Sequence, residues 1–190
     1  MNIIIRKAKP EEAEKIIDIN IKVWKTTYKG LIPQEIIDKV QSKDEDRIKK
    51  SKINIREKQN TIVAEVDGEI VGFQTFGQAH DKQFCNSGEI YTSYILDDFQ
   101  MLGLGRRMAI ECMKELINQG YTTLITKCLV DNPSNEFHKS IGGIYIGQST
   151  FEPLGIYVGK DNVYYHEDLE KSLNYNLKKV KGENKYELWR

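Results

Sequence analysis

The segment "DDFQMLGLGRRMAI", residues 97–110, decides how the chain is read. Gly103 and Gly105 stand two apart, follow Gln100 and run into Arg106, Arg107 and a helical pattern. Before them, "EIYTSYIL" (89–96) has the β-branched and aromatic residues that suit a pleated surface. After them, Leu104, Met108, Cys112 and Leu116 recur every four residues, an amphipathic helix that Gly120 ends. "YTTLITKCLV" (121–130) is a further strand. Strand, glycine loop, helix and strand form a βαβ-like crossover, right-handed if the two strands are parallel neighbours.

Three glycine-loop chemistries compete for this segment. A dinucleotide fingerprint, G-x-G-x-x-G, requires a third glycine where Met108 stands, which disfavours a nucleotide-binding oxidoreductase. A triphosphate-binding loop requires Lys-Ser or Lys-Thr after its last glycine, and Arg106-Arg107 follow instead. What remains is a Q-x-x-G-x-G loop at a helix start. Its outward N–H groups favour an anion, a pyrophosphate above all, and glycine lets the backbone approach it. A tight turn without a ligand is the alternative reading; Gln100 and Arg106 at these offsets weigh against it.

Outward from the loop, "NIIIRKA" reads as a strand, and Pro10 opens a helix over "PEEAEKIIDINIKVWKTTY" with acids in its first turn. Gly30 and Pro33 break that helix, "QEIIDKV" resumes the pattern, and "QSKDEDRIKKSKINIREKQ" continues as an exposed helix. "NTIVAEVDGEIVGFQTF" is a hairpin turning at Asp67-Gly68. "DNPSNEFHKSIGG" (131–143) reads as a short helix stopped by paired glycines, and "IYIGQSTF" and "NVYYHEDL" as the last two strands. An antiparallel meander joined to the crossover makes a mixed α/β (α+β) fold. Residues 1–170 form the expected domain, and 171–190 a charged C-terminal extension whose structure the pattern leaves unread.

Composition excludes several classes. Twenty-eight Lys and Arg balance 28 Asp and Glu, so net charge gives no attraction to nucleic acid or anionic lipid. The three cysteines (85, 112, 128) and three histidines (80, 138, 166) lie too far apart for a zinc motif, and no metal is expected. There is no signal-peptide pattern and no apolar run of membrane-spanning length, so the expected setting is cytoplasmic, away from membranes.

At this point the chain resembles a family. "YILDDFQMLGLGRRMAIECM" is similar to the acyl-CoA loop of the GNAT superfamily of N-acyltransferases. "NPSNEFHKSIGG" (132–143) is similar to its second signature, of the type NPxxxFYEKLGG, and the N-terminal strand and helices are similar to its opening elements. The resemblance covers roughly residues 3 to 169 in family order. It implies one acyl-CoA N-acyltransferase domain, with helices flanking a mostly antiparallel sheet whose central strands splay. It also implies acetyl-CoA as the acyl donor, a small-molecule or peptide amine as acceptor, and a possible homodimer.

The implied cofactor contacts are residues 100–106, namely Gln100, Met101, Leu102, Gly103, Leu104, Gly105 and Arg106, with Arg106 adding charge. The backbone of Ile95 and Leu96 would pair with the pantetheine amides, and Asn132, Ser134 and Phe137 would meet the arm. Asn132 as a helix cap and Phe137 as a core aromatic stay open as alternatives. Glu89, eleven residues before Gln100, matches a glutamate that serves as base in some relatives. Strand alternation puts it on one face with Tyr91, Ser93 and Ile95; a solvated carboxylate is the bland reading. The Ile95 N–H is the implied oxyanion donor.

Where the family commonly has a tyrosine that donates to the leaving thiolate, this chain has His138. Either tautomer can donate, and a free imidazole titrates near ~6.5. The competing view is an exposed helical histidine, and Tyr94 and Tyr145 are fallback donors. Trp24, Tyr28 and Tyr91 are candidates to line the acceptor pocket, a core stripe being the other reading. Direct transfer in a ternary complex is favoured because no cysteine sits in an acyl-enzyme motif. An acyl-CoA sensor without catalysis is the alternative that His138 permits.

Overall fold

The computed structural model describes residues 1–186, and side-chain environments through residue 182. Strands β1 (Ile3–Lys7), β2 (Thr61–Val66), β3 (Glu69–Gln78), β4 (Gly88–Ile95), β5 (Leu124–Leu129), β6 (Ile144–Phe151) and β7 (Gly159–His166) form one sheet. Their spatial order is β1-β2-β3-β4-β5-β7-β6. Only β4 and β5 run parallel; every other neighbouring pair is antiparallel. The helices are α1 (Ala13–Thr27), α2 (Gln34–Val40), α3 (Glu45–Lys58), α4 (Leu104–Asn118), α5 (Asn135–Ser140) and α6 (Leu169–Tyr186). No helix among the described residues is long and apolar enough to cross a membrane.

The parallel pair is short, and that is what positions the site. β4 meets β5 only through Gly88, Glu89 and Ile90 against Leu124, Ile125 and Thr126. Beyond that point β4 keeps its partner β3, and β5 keeps β7. The two central strands therefore diverge from Tyr91 onward. A bulge adds to the divergence: Thr75 pairs with Thr92 and Phe76 with Ile90, which leaves Tyr91 without an opposite residue.

Helices α1 and α4 cover opposite faces. On β4, Tyr94 bonds to Trp24 of α1, whereas its neighbour Ser93 bonds to Gln74, which also reaches the Gly105 carbonyl of α4. Adjacent strand residues point to opposite faces. Met108, Cys112, Met113 and Leu116 are fully buried on the apolar stripe of α4, each side chain stabilising the core by ~1.5–3 kcal/mol. Trp24, Tyr28, Ile32, Ile36, Ile37 and Leu129 form a second cluster, which seats α1 and α2 beside the open end of β5.

The end of the chain departs from the reading of its pattern. The final strand starts at Gly159, three residues earlier than expected, and stops at His166. Asp168 then caps a helix: its Oδ1 accepts from the Lys171 N–H at 2.9 Å. α6 packs against α4, with Leu169 and Asn176 fully buried. Its charged residues mask a narrow buried stripe, and that is why composition leaves this segment unread.

Candidate active site

A cleft of about 200 Å³ opens where β4 and β5 diverge. Its lining includes Glu89, Tyr91, Ile95 and Gln100 from β4 and the loop after it, Asn132, Ser134 and His138 around α5, and Tyr28, Phe151 and Asp161 on the α1 face. A second hollow, about 400 Å³, lies between Ile117, Gly120, Tyr121 and Glu167 and holds none of the candidate site residues.

The backbone at the mouth is the first asset. Leu96 donates its N–H to the Val71 carbonyl at 2.9 Å and accepts from Phe99. In an antiparallel ladder successive residues turn alternately toward and away from the partner strand. Leu96 and Tyr94 thus turn toward β3, while Ile95 and Ser93 turn their N–H groups into the divergence. The expectation for Leu96 is corrected, since its amide is already bonded within the sheet. Ile95 keeps the expected direction, and Ser93 joins it.

The second asset is the start of α4. Gly103 is the N-cap with φ +73°, a left-handed conformation that glycine adopts without Cβ strain, and no side chain caps the helix. Arg107 is the first residue whose N–H finds a helical carbonyl, that of Gly103, so the amides of Leu104, Gly105 and Arg106 stand open. Met101 also adopts a left-handed conformation, φ +60°, with its side chain fully exposed. Gln100 ties the loop to β4, donating to the Ile95 carbonyl at 3.3 Å.

The two glycines serve different ends. A Cβ on Gly105 would lie 3.0 Å from Cε2 of Phe137 and 3.6 Å from Cδ1 of Ile95, so its smallness seats Phe137 on α4. Arg106 has a structural tie that the resemblance did not imply. Its guanidinium donates to the Ser140 carbonyl at 3.1 Å and to Asn176 Oδ1 at 2.5 Å, joining α4 to α5 and α6.

The α5 segment is built around Asn132, Asn135 and His138. Asn132 Oδ1 accepts from the Ser134 N–H at 2.8 Å, a turn bond ahead of α5, whose N-cap is Ser134 with no side-chain cap, and Asn132 also lines the cleft. Asn135 donates to the carbonyls of Leu129, Val130 and Asn132 and accepts from Asn162 and Tyr164, which holds the end of β5 away from β4. His138 is 6% exposed, so the exposed-histidine view is set aside. Its Nδ1 lies 2.8 Å from Thr126 Oγ1, and its ring stacks on Tyr164. Burial, with His166 nearby, pushes its pKa down to about 4. It is therefore neutral at physiological pH. In the Nε2–H tautomer the Thr126 hydroxyl donates to Nδ1 and the Nε2–H is left to donate elsewhere.

On the opposite face, Glu89 is 6% exposed and accepts the His80 N–H at 2.9 Å. The bulge at Tyr91 reverses the alternation, so Glu89 shares a face with Thr92 and Tyr94 and not with Ser93 and Ile95. Tyr91 turns its hydroxyl to the Gln78 carbonyl at 2.6 Å. Tyr28 lines the cleft, and its hydroxyl lies 3.4 Å from that of Tyr94. Trp24 stands behind them, its ring N–H donating to Tyr94 at 3.0 Å, so it supports the wall and does not line it. Tyr145 is exposed, outside the cleft.

The sequence pattern does not single out Asp161. It lies mid-strand on β7, opposite Leu129, and is 8% exposed. Burial pushes its carboxyl up to about 7, with Lys127 pulling it down and Glu89 adding to the rise. Cys128 also lines the cleft, and burial raises its thiol to about 12.

A divergent parallel pair over an uncapped, glycine-started helix is the arrangement that the resemblance implied. The model of the acetyltransferase (GNAT) family matches residues 24–142, well over half of the chain. The chain belongs to the acetyltransferase (GNAT) family. It is an acetyl-CoA-dependent N-acyltransferase, which sets aside the sensor reading.

The acetyltransferase is 27% identical over 156 residues to the uncharacterized N-acetyltransferase YuaI of Bacillus subtilis, across 81% of this chain and 87% of that one. Among solved structures, an N-acetyltransferase from Staphylococcus aureus Mu50 shares its fold with a TM-score of 0.70 and 20% identity, covering 89% of this chain and 99% of that one. The PaiA N-acetyltransferase of Thermoplasma acidophilum, in complex with coenzyme A, gives 0.63 and 18%, covering 85% and 98%. YncA of Salmonella typhimurium, with acetyl-CoA, gives 0.67 and 18%, covering 89% and 95%.

Proposed function

We propose that the acetyltransferase moves an acetyl group from acetyl-CoA to a primary amine of a small molecule or peptide, by direct attack in a ternary complex. The observation that carries this is the divergence of β4 from β5 with the Ile95 and Ser93 amides turned into it. An arm with two amides pairs with such an edge as an added strand would. The open amides of Leu104, Gly105 and Arg106 favour the pyrophosphate at the end of that arm. Gln100, Asn132, Ser134 and Phe137 complete the cofactor side, with Phe137 acting through its seat on Gly105.

Acetyl-CoA, when bound, supplies an activated acyl carbonyl. Ile95 donates its N–H to the oxygen as charge develops there. Glu89 takes the proton from the acceptor, directly or through a water, since an alkylammonium (pKa ~10.4) is mostly protonated at neutral pH. His138 donates its Nε2–H to the leaving sulfur as a neutral imidazole. Tyr28 and Tyr91 wall the acceptor side. Cys128 supports direct transfer by default: a thiol raised to about 12 is a poor nucleophile at neutral pH. Exposed Ile144, Tyr145 and Ile146 on the edge strand β6 lend support to the homodimer expectation.

The test is acetyl-CoA-dependent thiol release across a panel of amino acids, diamines, aminoglycosides and peptide N-termini. Amine-dependent release is expected for at least one class. Acetyl-CoA binding with no release for any amine would overturn the reading.

A further inference from the structure

The cleft holds two carboxylates, and only one of them is accounted for. Glu89 accepts a backbone hydrogen bond from His80, and the His80 ring lies 3.5 Å away. Asp161 is equally buried, lines the same cleft, and makes no hydrogen bond or ion pair among the described residues. The nearest cation on its face is Lys127, which turns to Asp81 at 3.5 Å. Directly opposite Asp161 on β6 stands Ser149, whose Oγ is buried without a partner. Direct cross-strand partners share a face, so the two side chains stand on one side of the sheet, the Ser149 Oγ buried and the Asp161 carboxylate open to the cleft without a protein partner.

The wall beside that spot is aromatic. Tyr28 and Phe151 stack with centroids 6.2 Å apart and both line the cleft. A buried unpaired carboxylate is costly unless a donor or cation completes it, and ring faces favour the same kind of partner. The groups facing Asp161 are Lys127 and Cys128 from β5, Glu89 and Tyr94 from β4, and Tyr28 from α1. None of them is a cation free to pair with it.

We infer that Asp161 anchors a second positive charge of the acceptor, with the Tyr28–Phe151 wall beside it, so that the preferred acceptor is a diamine or another amine bearing a second cationic group. This rests on the acetyl-transfer reading, with Glu89 at the reacting nitrogen and Asp161 at the distant one. Recognition is non-covalent, by a charge-assisted hydrogen bond and by the aromatic faces.

The experiment compares putrescine and cadaverine with butylamine and pentylamine, in the wild-type protein and in Asp161→Asn. The isosteric change removes an unpaired buried charge, so a melting point at or above that of the wild type checks folding. In the wild type, kcat/KM for the diamine should exceed that for the matched monoamine at least ~10-fold. In Asp161→Asn that ratio should fall toward one, chiefly through KM. A wild-type ratio near one would overturn the inference, as would a loss of kcat that is equal for both amines.

Calorimetry of putrescine on the protein saturated with coenzyme A separates the two readings. Binding weakened at least ~10-fold by Asp161→Asn upholds the anchor even if no amine is acetylated. Equal binding by the two proteins rejects it even if acetylation proceeds.

Discussion

The two sides of the cleft are built differently. On the α4 side the groups proposed to meet the acyl donor are mostly backbone: the amides of Ile95, Ser93 and residues 104–106, set in place by one strand, one loop and one helix start. On the α1 side they are side chains from separate strands: Glu89 on β4, Lys127 on β5 and Asp161 on β7, with Tyr28 arriving from α1. A backbone site tolerates many sequences but needs its strand order and its glycines. A side-chain site can be retuned by single substitutions. One side thus suits a constant ligand, and the other a variable one.

Substitutions should separate the two sides. The largest effect is expected for Glu89→Gln, which removes the proposed base: kcat should fall by ~10²–10⁴, with acetyl-CoA affinity by calorimetry nearly unchanged. An equal loss of acetyl-CoA affinity would put Glu89 on the wrong side.

Next comes the pH dependence of stability. A carboxyl raised to about 7 favours the protonated form in the fold, so the stability it lends is present at low pH and lost as pH rises through about 7. Asp161→Asn should therefore exceed the wild type by ~2–4 kcal/mol in urea unfolding at about pH 8, the gap narrowing below about pH 7 and closing only below about pH 4. His138 and His166, both held near 4 by burial, act in the other sense. Their stability is present above their ordinary value of ~6.5 and lost as pH falls toward 4. Parallel pH profiles for the two proteins would remove Asp161 from the buried set.

On the donor side, Gly105→Leu drives side-chain atoms into the Phe137 ring, which a bare Cβ would already meet at 3.0 Å. Acetyl-CoA binding should weaken ~10-fold, with little change in amine KM. The smallest effect is expected for Arg106→Ala. It should cost ~1 kcal/mol of stability for the ties to Ser140 and Asn176. Acetyl-CoA affinity should fall under ~3-fold. A tenfold loss would restore Arg106 as a phosphate ligand.

The donor side is the legible side because its parts are contiguous. The loop 97–106, the α4 periodicity and "NPSNEFHKSIGG" each lie within one short segment, and Gln100, Asn132, Ser134 and His138 from these segments line one cleft. What spacing cannot give is the partner of each group. Leu96 is lost to Val71, a bond made across the hairpin, and Arg106 to Asn176, seventy residues away in a helix whose buried stripe composition hides. The acceptor side needs register. A one-residue bulge at Tyr91 moves Glu89 from the face of Ser93 to that of Tyr94. The pattern alone starts the last strand at Asn162 and leaves Asp161 in a loop, whereas its pairing with Leu129 and Ser149 aims it into the cleft. No local pattern marks a lone aspartate as buried; only the neighbouring strands do.

The central claim is that the unpaired edge of β4 receives the acyl donor. Amide hydrogen exchange of the acetyltransferase with and without acetyl-CoA tests it most directly. Ile95 and Ser93, together with Leu104, Gly105 and Arg106, should gain protection on binding, while Leu96, already bonded to Val71, should change little. Protection that arises elsewhere, with the Ile95 and Ser93 amides exchanging as before, would contradict the account.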